Sequence, residues 1–341
     1  MERVSILIAS YRDVDLLRNC IESLVACCQG AIPEIVVVDD AAGDVQTAEY
    51  VKSCEKYGVR LVVMPKNGGF AGANNFGYRF CTCEFIVLVN SDIVFDKNPF
   101  PALVSFMDSH PKAGIAQGTL MIANGQKGVD GTLNGCGSYL SPMGTLVTPA
   151  WLADADEPSA GVAHRCFAVS GALFMLRRSV VDIVGNLFYD CFHSYYEETD
   201  FCHRAWLAGW EIWYVPTPVV YHHCGATIFK FVPREEVLRR FYRNIRFSFK
   251  TCFGAYGLFT VLPVFELCCF AQSIVQLMRG EGLAWRAHSW ARREIRGLKH
   301  EIQNARERIQ KNRVISDRDL FKIIRKRYSL RELLDVLRRN A

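Results

Sequence analysis

The segment Phe85-Ile86-Val87-Leu88-Val89-Asn90-Ser91-Asp92 decides the fold expected for this chain. Five apolar residues in succession are typical of a strand that is buried on both faces of a parallel sheet. Asp92 follows at the carboxyl end of that strand, where open α/β sheets bind their ligands. A carboxylate in this position can hold a divalent cation and, through it, a diphosphate. A strand that ends in an ordinary Asx turn has the same pattern, so the segment alone leaves both interpretations open.

Strands and helices alternate along the first 120 residues. Short apolar runs predict the strands, and apolar residues at helical spacing predict the helices between them. The predicted strands are 4–9, 35–38, 59–64, 85–92 and 114–122, and the predicted helices are 14–28, 45–57, 71–80 and 100–109. This βαβ series indicates an α/β fold with a doubly wound, mostly parallel sheet flanked by helices.

The second part of the chain is less regular. Residues 123–165 are rich in Gly, Pro, Ser and Asp and show little periodicity, which predicts a long surface loop. Regular structure is then expected over 167–176, in helices at 179–184 and 197–208, and in strands at 212–215 and 219–221.

Length and composition suit one large domain with an appendage. The chain has 341 residues, half of them hydrophobic, and a net charge of +5. The charge is uneven, because residues 281–341 contain 17 basic and 8 acidic residues, a local net of +9, and the first 280 residues carry about −4. No h-region of a signal peptide follows Met1. The 14 cysteines contain no Cys-x-x-Cys pair and no zinc-type cluster, so we expect reduced thiols in a cytosolic protein without structural zinc.

Two carboxylates, Asp39 and Asp40, follow the second predicted strand, where an acidic residue commonly binds the base or ribose of a nucleotide. A turn or cap carboxylate would look the same. Ser10-Tyr11-Arg12-Asp13 stands where a dinucleotide-binding protein has Gly-x-Gly-x-x-Gly, and the chain has no Walker-type loop. NAD, FAD and ATPase functions are therefore excluded. The glycine-rich segment 66–75 opens a helix and can approach a phosphate or a sugar closely, although a capping turn is the alternative.

Three carboxylates lie beside aromatic residues in Tyr195-Tyr196-Glu197-Glu198-Thr199-Asp200. Acidic residues at a helix start are ordinary, because they cap the helix and complement its dipole. Apolar neighbours can also raise the pKa of such a carboxylate and supply a general base. His222 ends a later strand, where a single histidine is usually structural. Together with Asp92 at another strand end, it can complete a metal shell.

In this order, these residues resemble the family-2 glycosyltransferases of the GT-A fold, in particular the rhamnosyltransferase-like branch. The resemblance covers about residues 3–250. It is carried by Ser10-Tyr11, Val38-Asp39-Asp40, residues 67–77, Val89-Asn90-Ser91-Asp92, Gly171-Ala172, residues 188–200, Ala208-Gly209-Trp210, Val215-Pro216 and His222.

The resemblance implies a role for each matching residue. Asp92 would be the last residue of a DxD-like motif and bind Mg²⁺ or Mn²⁺ that bridges the diphosphate, with His222 as the second protein ligand. Glu198 would be the catalytic base in an acidic pair with Glu197, and Glu197 and Asp200 are the further candidates for the base. The residues expected to bind the nucleotide-sugar are Ser10, Tyr11, Asp39, Asp40, Asn67, Gly69, Asn75, Asn90 and Ser91.

The chain departs from the family pattern in three places. Asn90 replaces the first Asp of the DxD motif, which leaves Asp92 as the main carboxylate. Glu198 stands where Asp is usual, so the base reaches about one methylene further. Ala41-Ala42-Gly43 replaces a turn that is rich in Asn and Ser, which weakens the expectation of nucleotide contacts there.

The resemblance implies an inverting, metal-dependent glycosyltransferase. The expected reaction moves rhamnose from dTDP-rhamnose to a hydroxyl of a glycan or lipid-linked oligosaccharide, in polysaccharide biosynthesis. A UDP-galactose, galactofuranose or N-acetylglucosamine donor is the alternative within enzymes. A catalytically silent, membrane-bound homologue that acts as a scaffold is the alternative outside them.

We expect a catalytic domain over 1–232, with a nucleotide-sugar half at about 1–122 and an acceptor half at about 123–232. A C-terminal helical, basic region is expected over 233–341. The pattern also leaves room for a homo-oligomer, and no nucleic-acid partner is expected because no reader motif is present.

The C-terminal region contains two uncharged runs, 251–265 and 267–278, separated by Glu266. Each is shorter than the span of about 20 residues that a transmembrane helix needs, so they predict an interfacial or re-entrant hairpin, or helices packed on the core. The basic stretch that follows suits an amphipathic helix on an anionic membrane, with a solvated surface or an oligomer contact as the alternative. We therefore expect a cytoplasmic protein, peripheral on the inner face of the cell membrane.

Overall fold

A computed structural model describes residues 2–40, 44–124, 128–154, 156–224 and 231–324. Its centre is an eight-stranded sheet, accompanied by a five-stranded sheet and a two-stranded ribbon. The strands are β1 (Val4–Ser10), β2 (Glu34–Asp39), β3 (Val59–Val63), β4 (Phe85–Asn90), β5 (Ile93–Phe95), β6 (Ala113–Gln117), β7 (Leu120–Asn124), β8 (Gly128–Asn134), β9 (Tyr139–Leu140), β10 (Leu146–Val147), β11 (Trp151–Asp154), β12 (His164–Arg165), β13 (Leu173–Arg177), β14 (Glu211–Tyr214) and β15 (Val220–His222). The helices are α1 (Val14–Cys28), α2 (Val45–Ser53), α3 (Gly69–Tyr78), α4 (Phe100–Ser109), α5 (Arg178–Val184), α6 (Glu197–Leu207), α7 (Arg234–Cys252), α8 (Ala255–Thr260), α9 (Leu262–Met278), α10 (Leu283–Gly297), α11 (Lys299–Lys311) and α12 (Asp317–Ile324).

The central sheet has the strand order β12-β14-β6-β13-β4-β1-β2-β3. Strands β3, β2, β1 and β4 pair in parallel, and so do β14 and β6. Strands β13 and β12 run antiparallel to their neighbours. The predicted α/β fold, with a parallel-rich sheet between helices and a C-terminal helical region, is confirmed.

The strand that precedes Asp92 lies in the middle of this sheet, between β1 and β13. Ile86 and Leu88 face one hydrophobic core, and Val87 and Val89 face the other. None of these four side chains is more than 2% exposed, which confirms the prediction of a strand buried on both faces. The strand ends at Asn90, so Asp92 lies in the turn before β5, at the carboxyl edge of the sheet.

The single strand predicted over 114–122 is wrong, because these residues form β6 and β7, which belong to different sheets. The break falls at Gly118, where an added Cβ would lie 2.6 Å from Oγ1 of Thr217. That hydroxyl oxygen accepts a hydrogen bond from the backbone N–H of Thr119 at 3.0 Å. The chain therefore turns away from the central sheet at Gly118, where the backbone lies so close to the Thr217 side chain that only glycine fits.

The long loop predicted over 123–165 is wrong for much of its length. Its described residues contribute β8 to β12, of which β8 and β11 continue the five-stranded sheet β11-β8-β7-β15-β5. β9 and β10 are only two residues long and pair with each other. Strands this short cannot show a clear alternation of apolar and polar residues, so periodicity did not reveal them.

Two further boundaries differ from the prediction. The helix expected over 45–57 ends at Ser53, and the 3-10 turn Glu55–Tyr57 follows it. Within the regular structure expected over 167–176, a strand begins only at Leu173. Residues 170–172, just before that strand, line the cleft described below.

The C-terminal helices pack directly on the rest of the protein. Ile245, Phe247 and Phe249 of α7 belong to the same buried core as Leu7 and Leu88 of the central sheet. Helices α10 and α11 lie along α7 and cover its other side. The domain boundary near residue 232 stays a prediction.

Residues 251 and 252 end α7, and the rest of the two uncharged runs forms α8 and α9, which follow each other in the helical stretch Ala255–Met278 of 24 residues. Of the two predicted alternatives, the hairpin is wrong and helices packed on the core are found, because Val261, Phe265 and Cys269 belong to the buried core. By length and composition alone this stretch could cross a membrane, and only 22% of its most apolar 18 residues are buried in the protein. The turn 41–43 and the end of the basic region, 325–341, on which the sequence analysis also relied, lie outside the described residues.

Candidate active site

A cleft of about 870 Å³ opens at the carboxyl ends of β1 and β4. Central strands supply its floor, the start of α6 supplies one wall, and the end of β15 supplies another. Most of the residues predicted for the site meet here. They are Ser10, Tyr11, Asp40, Asn67, Gly69, Asn90, Ser91, Asp92, Glu197, Glu198 and His222.

Asp92 and His222 point at each other across the floor of the cleft. Oδ1 of Asp92 lies 3.3 Å from Nε2 of His222. This oxygen is buried, and apart from its contact with His222 it makes no hydrogen bond among the described residues. A carboxylate and an imidazole that face each other at the carboxyl edge of a sheet are candidate ligands of a divalent cation.

The other side of the His222 ring is held by residues that the sequence analysis did not identify. Nδ1 of His222 lies 3.0 Å from Oδ1 of Asn134, the last residue of β8. The thiol of Cys224 lies 3.3 Å from the same nitrogen and accepts a hydrogen bond from the Asn134 amide at 3.3 Å. In a neutral ring whose Nδ1–H donates to Asn134, Nε2 could ligate a cation, whereas without a cation the contact with Asp92 favours the protonated ring, whose Nε2–H faces Asp92.

The contacts of the His222 ring favour its protonated, positively charged form. Burial opposes a charged ring, but the contacts with Asp92 and Cys224 raise the pKa of His222 to about 10. The described residues contain no group of three or more metal-ligating side chains. Among the described residues, Asp92 and His222 are therefore the candidate protein ligands of a divalent cation, whose other positions could take water or substrate oxygens.

The acidic pair lies at the first turn of α6. Burial raises the pKa of Glu198 to about 7, against the opposing effect of backbone N–H groups. Burial and the charge of Glu198 raise the pKa of Glu197 still further above its usual range. Oε2 of Glu197 has no hydrogen-bond partner among the described residues. A carboxylate with a pKa near 7 can take a proton from a substrate at neutral pH, which fits the predicted role of Glu198.

The backbone just before this pair is strained. His193, Tyr195 and Tyr196 have φ angles of +60°, +74° and +72°. Residues other than glycine rarely adopt this left-handed region, and each such residue costs of the order of 1 kcal/mol. Strain of this kind persists only where the surroundings hold the segment in place.

Helix α7 holds this segment. The side-chain amide of Asn244, which is fully buried, donates to the carbonyl oxygens of Phe192 at 3.1 Å, Ser194 at 3.1 Å and Tyr195 at 2.6 Å. Nη1 of Arg240 lies 2.9 Å from Nδ1 of His193. The acidic pair is thus positioned from the C-terminal helical region.

The carboxylate of Asp40 forms hydrogen bonds with neighbouring residues of the protein. Its carboxylate accepts hydrogen bonds from the backbone N–H of Gly68 at 2.6 Å and from the Asn67 amide at 2.9 Å, and burial raises its pKa to about 6. Gly69 has a φ of +65°, and a Cβ there would lie 2.1 Å from Nδ1 of His193. The glycine thus allows the start of α3 to pack against the strained segment, as well as to face the cleft.

Three predicted site residues do not line the cleft. Asp200 accepts a hydrogen bond from Nε of Arg204 at 2.7 Å in a fully buried ion pair. The side-chain amide of Asn75 donates a hydrogen bond to the carbonyl oxygen of Phe188 at 3.0 Å and accepts one from the backbone N–H of Phe188 at 2.9 Å. Asp39 is buried at the end of β2. These residues lie outside the lining of the cleft, and their predicted roles stay predictions.

Several lining residues escaped the sequence analysis. Leu146 and Trp151 come from the stretch that was predicted to be a loop, and Arg240 and Phe241 come from α7. The ring of Phe231 packs edge-on against Tyr11 at 5.8 Å. No local motif marks these positions, because long-range packing brings them to the cleft.

Family models match most of the chain. The model described as "Glycosyl transferase family 2" matches residues 5–138, and the model described as "Glycosyl transferase family group 2" matches residues 85–278. The second match alone covers more than half of the chain. Both include Asp92 and the end of β4.

Two curated proteins are similar in sequence. The low-salt glycan biosynthesis hexosyltransferase Agl10 of Haloferax volcanii is 24% identical over 212 residues, which are 60% of this chain and 62% of that protein. A poly-beta-1,6-N-acetyl-D-glucosamine synthase of Staphylococcus epidermidis is 26% identical over 187 residues, which are 54% of this chain and 42% of that protein. The matched part spans less than two thirds of the length of each.

Solved structures support the fold. Staphylococcus aureus TarS 1-349 matches with a TM-score of 0.54 at 16% identity, covering 92% of this chain and 89% of that chain. Mannosyltransferase PcManGT from Pyrobaculum calidifontis, in complex with GDP-Man and Mn²⁺, matches with a TM-score of 0.52 at 14% identity, covering 90% and 86%. These likenesses confirm the predicted GT-A-type fold.

Proposed function

Because the chain belongs to glycosyl transferase family 2, we propose that it transfers a sugar from a nucleotide-sugar donor to a hydroxyl group of an acceptor. One observation carries the proposal. Asp92 and His222, at the ends of two strands, meet the acidic pair Glu197 and Glu198 in a single cleft. This places a candidate cation site and a candidate base where one donor and one acceptor can lie together.

The donor would occupy the side of the cleft formed by β1, β4 and the start of α3. Tyr11 would contact the base, and the backbone near Gly69 and the side chains of Asn90 and Ser91 would contact the ribose and phosphates. Oδ1 of Asp92 and Nε2 of His222, which lie 3.3 Å apart, would hold a divalent cation, Mg²⁺ or Mn²⁺. When bound, such a cation would neutralise charge on the diphosphate leaving group.

Glu198 would act as the base. Its carboxylate takes the proton of the acceptor hydroxyl while the acceptor oxygen bonds to the anomeric carbon. The bond between that carbon and the diphosphate oxygen breaks, and its electron pair leaves with the nucleoside diphosphate. A single displacement from the opposite face inverts the anomeric configuration, and no second carboxylate is needed as a nucleophile.

Rhamnose from dTDP-rhamnose is the donor that the rhamnosyltransferase-like resemblance favours. The similarity to a poly-beta-1,6-N-acetyl-D-glucosamine synthase favours an N-acetylglucosamine donor as the second candidate. A glycan or lipid-linked oligosaccharide is the proposed acceptor class, in polysaccharide biosynthesis.

The test is turnover of a donor panel by the purified full chain. dTDP-rhamnose, UDP-galactose, UDP-galactofuranose and UDP-N-acetylglucosamine are each incubated with Mg²⁺, Mn²⁺ or chelator, and release of nucleoside diphosphate is measured. We expect cation-dependent release from one donor, which Asp92→Ala abolishes. Asp96→Ala, an exposed carboxylate of the next turn, is the matched control and should keep the activity. A donor that binds but is never turned over, with or without glycan acceptors, would instead favour the scaffold interpretation.

A further inference from the structure

The helical stretch Ala255–Met278 exposes a row of large apolar side chains. Six of them recur about every three to five residues and define what we call the apolar face: Phe259, Val264, Leu267, Phe270, Ile274 and Met278. Phe259, Leu267 and Met278 are 82%, 66% and 76% exposed. Soluble surfaces rarely leave a continuous row of this size open to water, which marks the apolar face as an interaction surface.

The opposite side of the same helix is packed on the protein. Phe265, Cys269 and Ser273 are buried. Glu266, the only charged residue of the stretch, forms ion pairs with Arg246 of α7 at 2.7 Å and with Arg292 of α10 at 3.0 Å. The helix is therefore fixed with one side inward and with an uncharged side outward.

This packing decides between a helix that crosses a bilayer and one that lies on it. The start and the second half of the stretch touch the same protein body, since the rings of Tyr256 and Phe321 lie 6.1 Å apart and those of Phe270 and Trp285 lie 6.2 Å apart. To span a bilayer, the helix would have to leave these partners and carry Glu266 into hydrocarbon. An orientation in the plane of the interface keeps all of these contacts.

Basic and aromatic residues flank the apolar face. Arg279 follows it directly and is exposed, and the guanidinium of Arg318 lies 4.7 Å from the ring of Tyr256 at the other end. Trp285 is 41% exposed beside Phe270. Tryptophan, tyrosine and arginine around an apolar surface are the arrangement that suits lipid headgroups, and the cations favour anionic ones.

We propose that the apolar face inserts into the headgroup–acyl boundary of an anionic bilayer, at the inner face of the cell membrane. This proposal does not depend on the proposed function. It also moves the source of binding from the basic tail to helix Ala255–Met278. Several basic side chains of the tail already have partners within the protein. Arg286 forms an ion pair with Glu235, and Arg306 donates hydrogen bonds to two backbone carbonyl oxygens.

The test is flotation of the full chain with vesicles of phosphatidylcholine alone or mixed with phosphatidylglycerol. We expect binding that increases with anionic lipid, falls with salt, and shifts the emission of tryptophan to the blue. The double variant Leu267→Glu/Ile274→Glu should weaken binding by about tenfold or more, because two apolar side chains no longer enter the bilayer. Arg279→Gln/Arg318→Gln should lose part of the preference for anionic lipid and keep binding to neutral vesicles.

The matched control is Val45→Glu, which adds a charge at a valine that is 66% exposed on α2 and should leave vesicle binding unchanged. Thermal unfolding of each variant verifies that the fold is intact. Wild-type protein that stays free of anionic vesicles at low salt would overturn the proposal. A wild-type dimer that Leu267→Glu/Ile274→Glu converts to a monomer, without vesicle binding, would show that a second copy covers the apolar face instead.

Discussion

Replacing Glu198 by Gln should make the protein less active and, at neutral to alkaline pH, more stable. The substitution keeps the shape of the side chain and removes its charge. Because burial raises the pKa of Glu198 to about 7 from an ordinary value of 4.5, the ionised form is disfavoured in the folded state. A base that is ready to take a proton near neutral pH is therefore held at a cost in stability.

The sign and size of the stability change follow from the linkage between proton binding and folding. Below pH 4.5 the carboxyl is protonated in both folded and unfolded states and contributes no penalty. Between pH 4.5 and about 7 only the unfolded state ionises, so stability falls as pH rises. Above pH 7 the full penalty applies, and at 1.36 kcal/mol for each pH unit of difference it is about 3 kcal/mol. Relief of repulsion on Glu197 acts in the same direction.

The assay is chemical denaturation of wild type and Glu198→Gln at pH 5 and at pH 8. We expect the variant to gain of the order of 2–3 kcal/mol at pH 8 and to be nearly equal to wild type at pH 5. Transfer activity should fall by about 10²–10⁴-fold. Glu49→Gln, on the exposed side of α2, is the control and should change neither quantity. Equal stability at both pH values, or a variant within threefold of wild-type activity, would refute the argument.

Four other predictions address the remaining parts of the site. Asp92→Ala should abolish binding of Mn²⁺ as followed by electron paramagnetic resonance; unchanged binding would remove Asp92 from the cation site. Asn134→Leu should weaken Mn²⁺ binding by about 10–100-fold, because His222 loses the partner of Nδ1, while circular dichroism stays unchanged; wild-type affinity would contradict this. Asn244→Leu should lower the free energy of unfolding by about 1–3 kcal/mol, since three carbonyls of a strained segment lose their donor, and denaturation would measure it. Proton NMR of early product should show an inverted anomeric centre, and a retained one would exclude single displacement.

The sequence predicted those site residues that stand at the ends of regular elements. Asp92 follows a strand that its run of apolar residues predicts, and Glu198 lies in the first turn of a helix whose apolar residues recur at helical spacing. The position of Asp92 follows from the rule that parallel strands present their carboxyl ends at one edge, whereas the approach of Glu198 depends on how α6 packs. The positions of Asn134 and Trp151 were not predictable, because they depend on short strands in a stretch without alternation. Gly118 shows the same limit, since its role arises from Thr217, about a hundred residues away.

Two residues that were predicted for the site have packing contacts in the structure, and their chemical roles stay predictions. Asp200 lies in the same acidic segment as Glu198, but it is one side of the buried pair with Arg204. Asn75 lies in the glycine-rich segment, but it ties α3 to the backbone of Phe188. Sequence spacing alone cannot distinguish these cases, because the direction of a side chain from a helix depends on where that helix is packed.

The hold of Asn244 on the strained segment has a practical consequence for exchanging parts between related enzymes. A chimera joined near residue 232 would combine the acidic pair from one parent with a supporting helix from another. The carbonyl oxygens of Phe192, Ser194 and Tyr195 would then depend on a side-chain donor that their own sequence did not evolve with. A join placed after Cys252, at the end of α7, keeps the donor and its three acceptors in one parent. The later helices could then be exchanged without disturbing the backbone that positions Glu197 and Glu198.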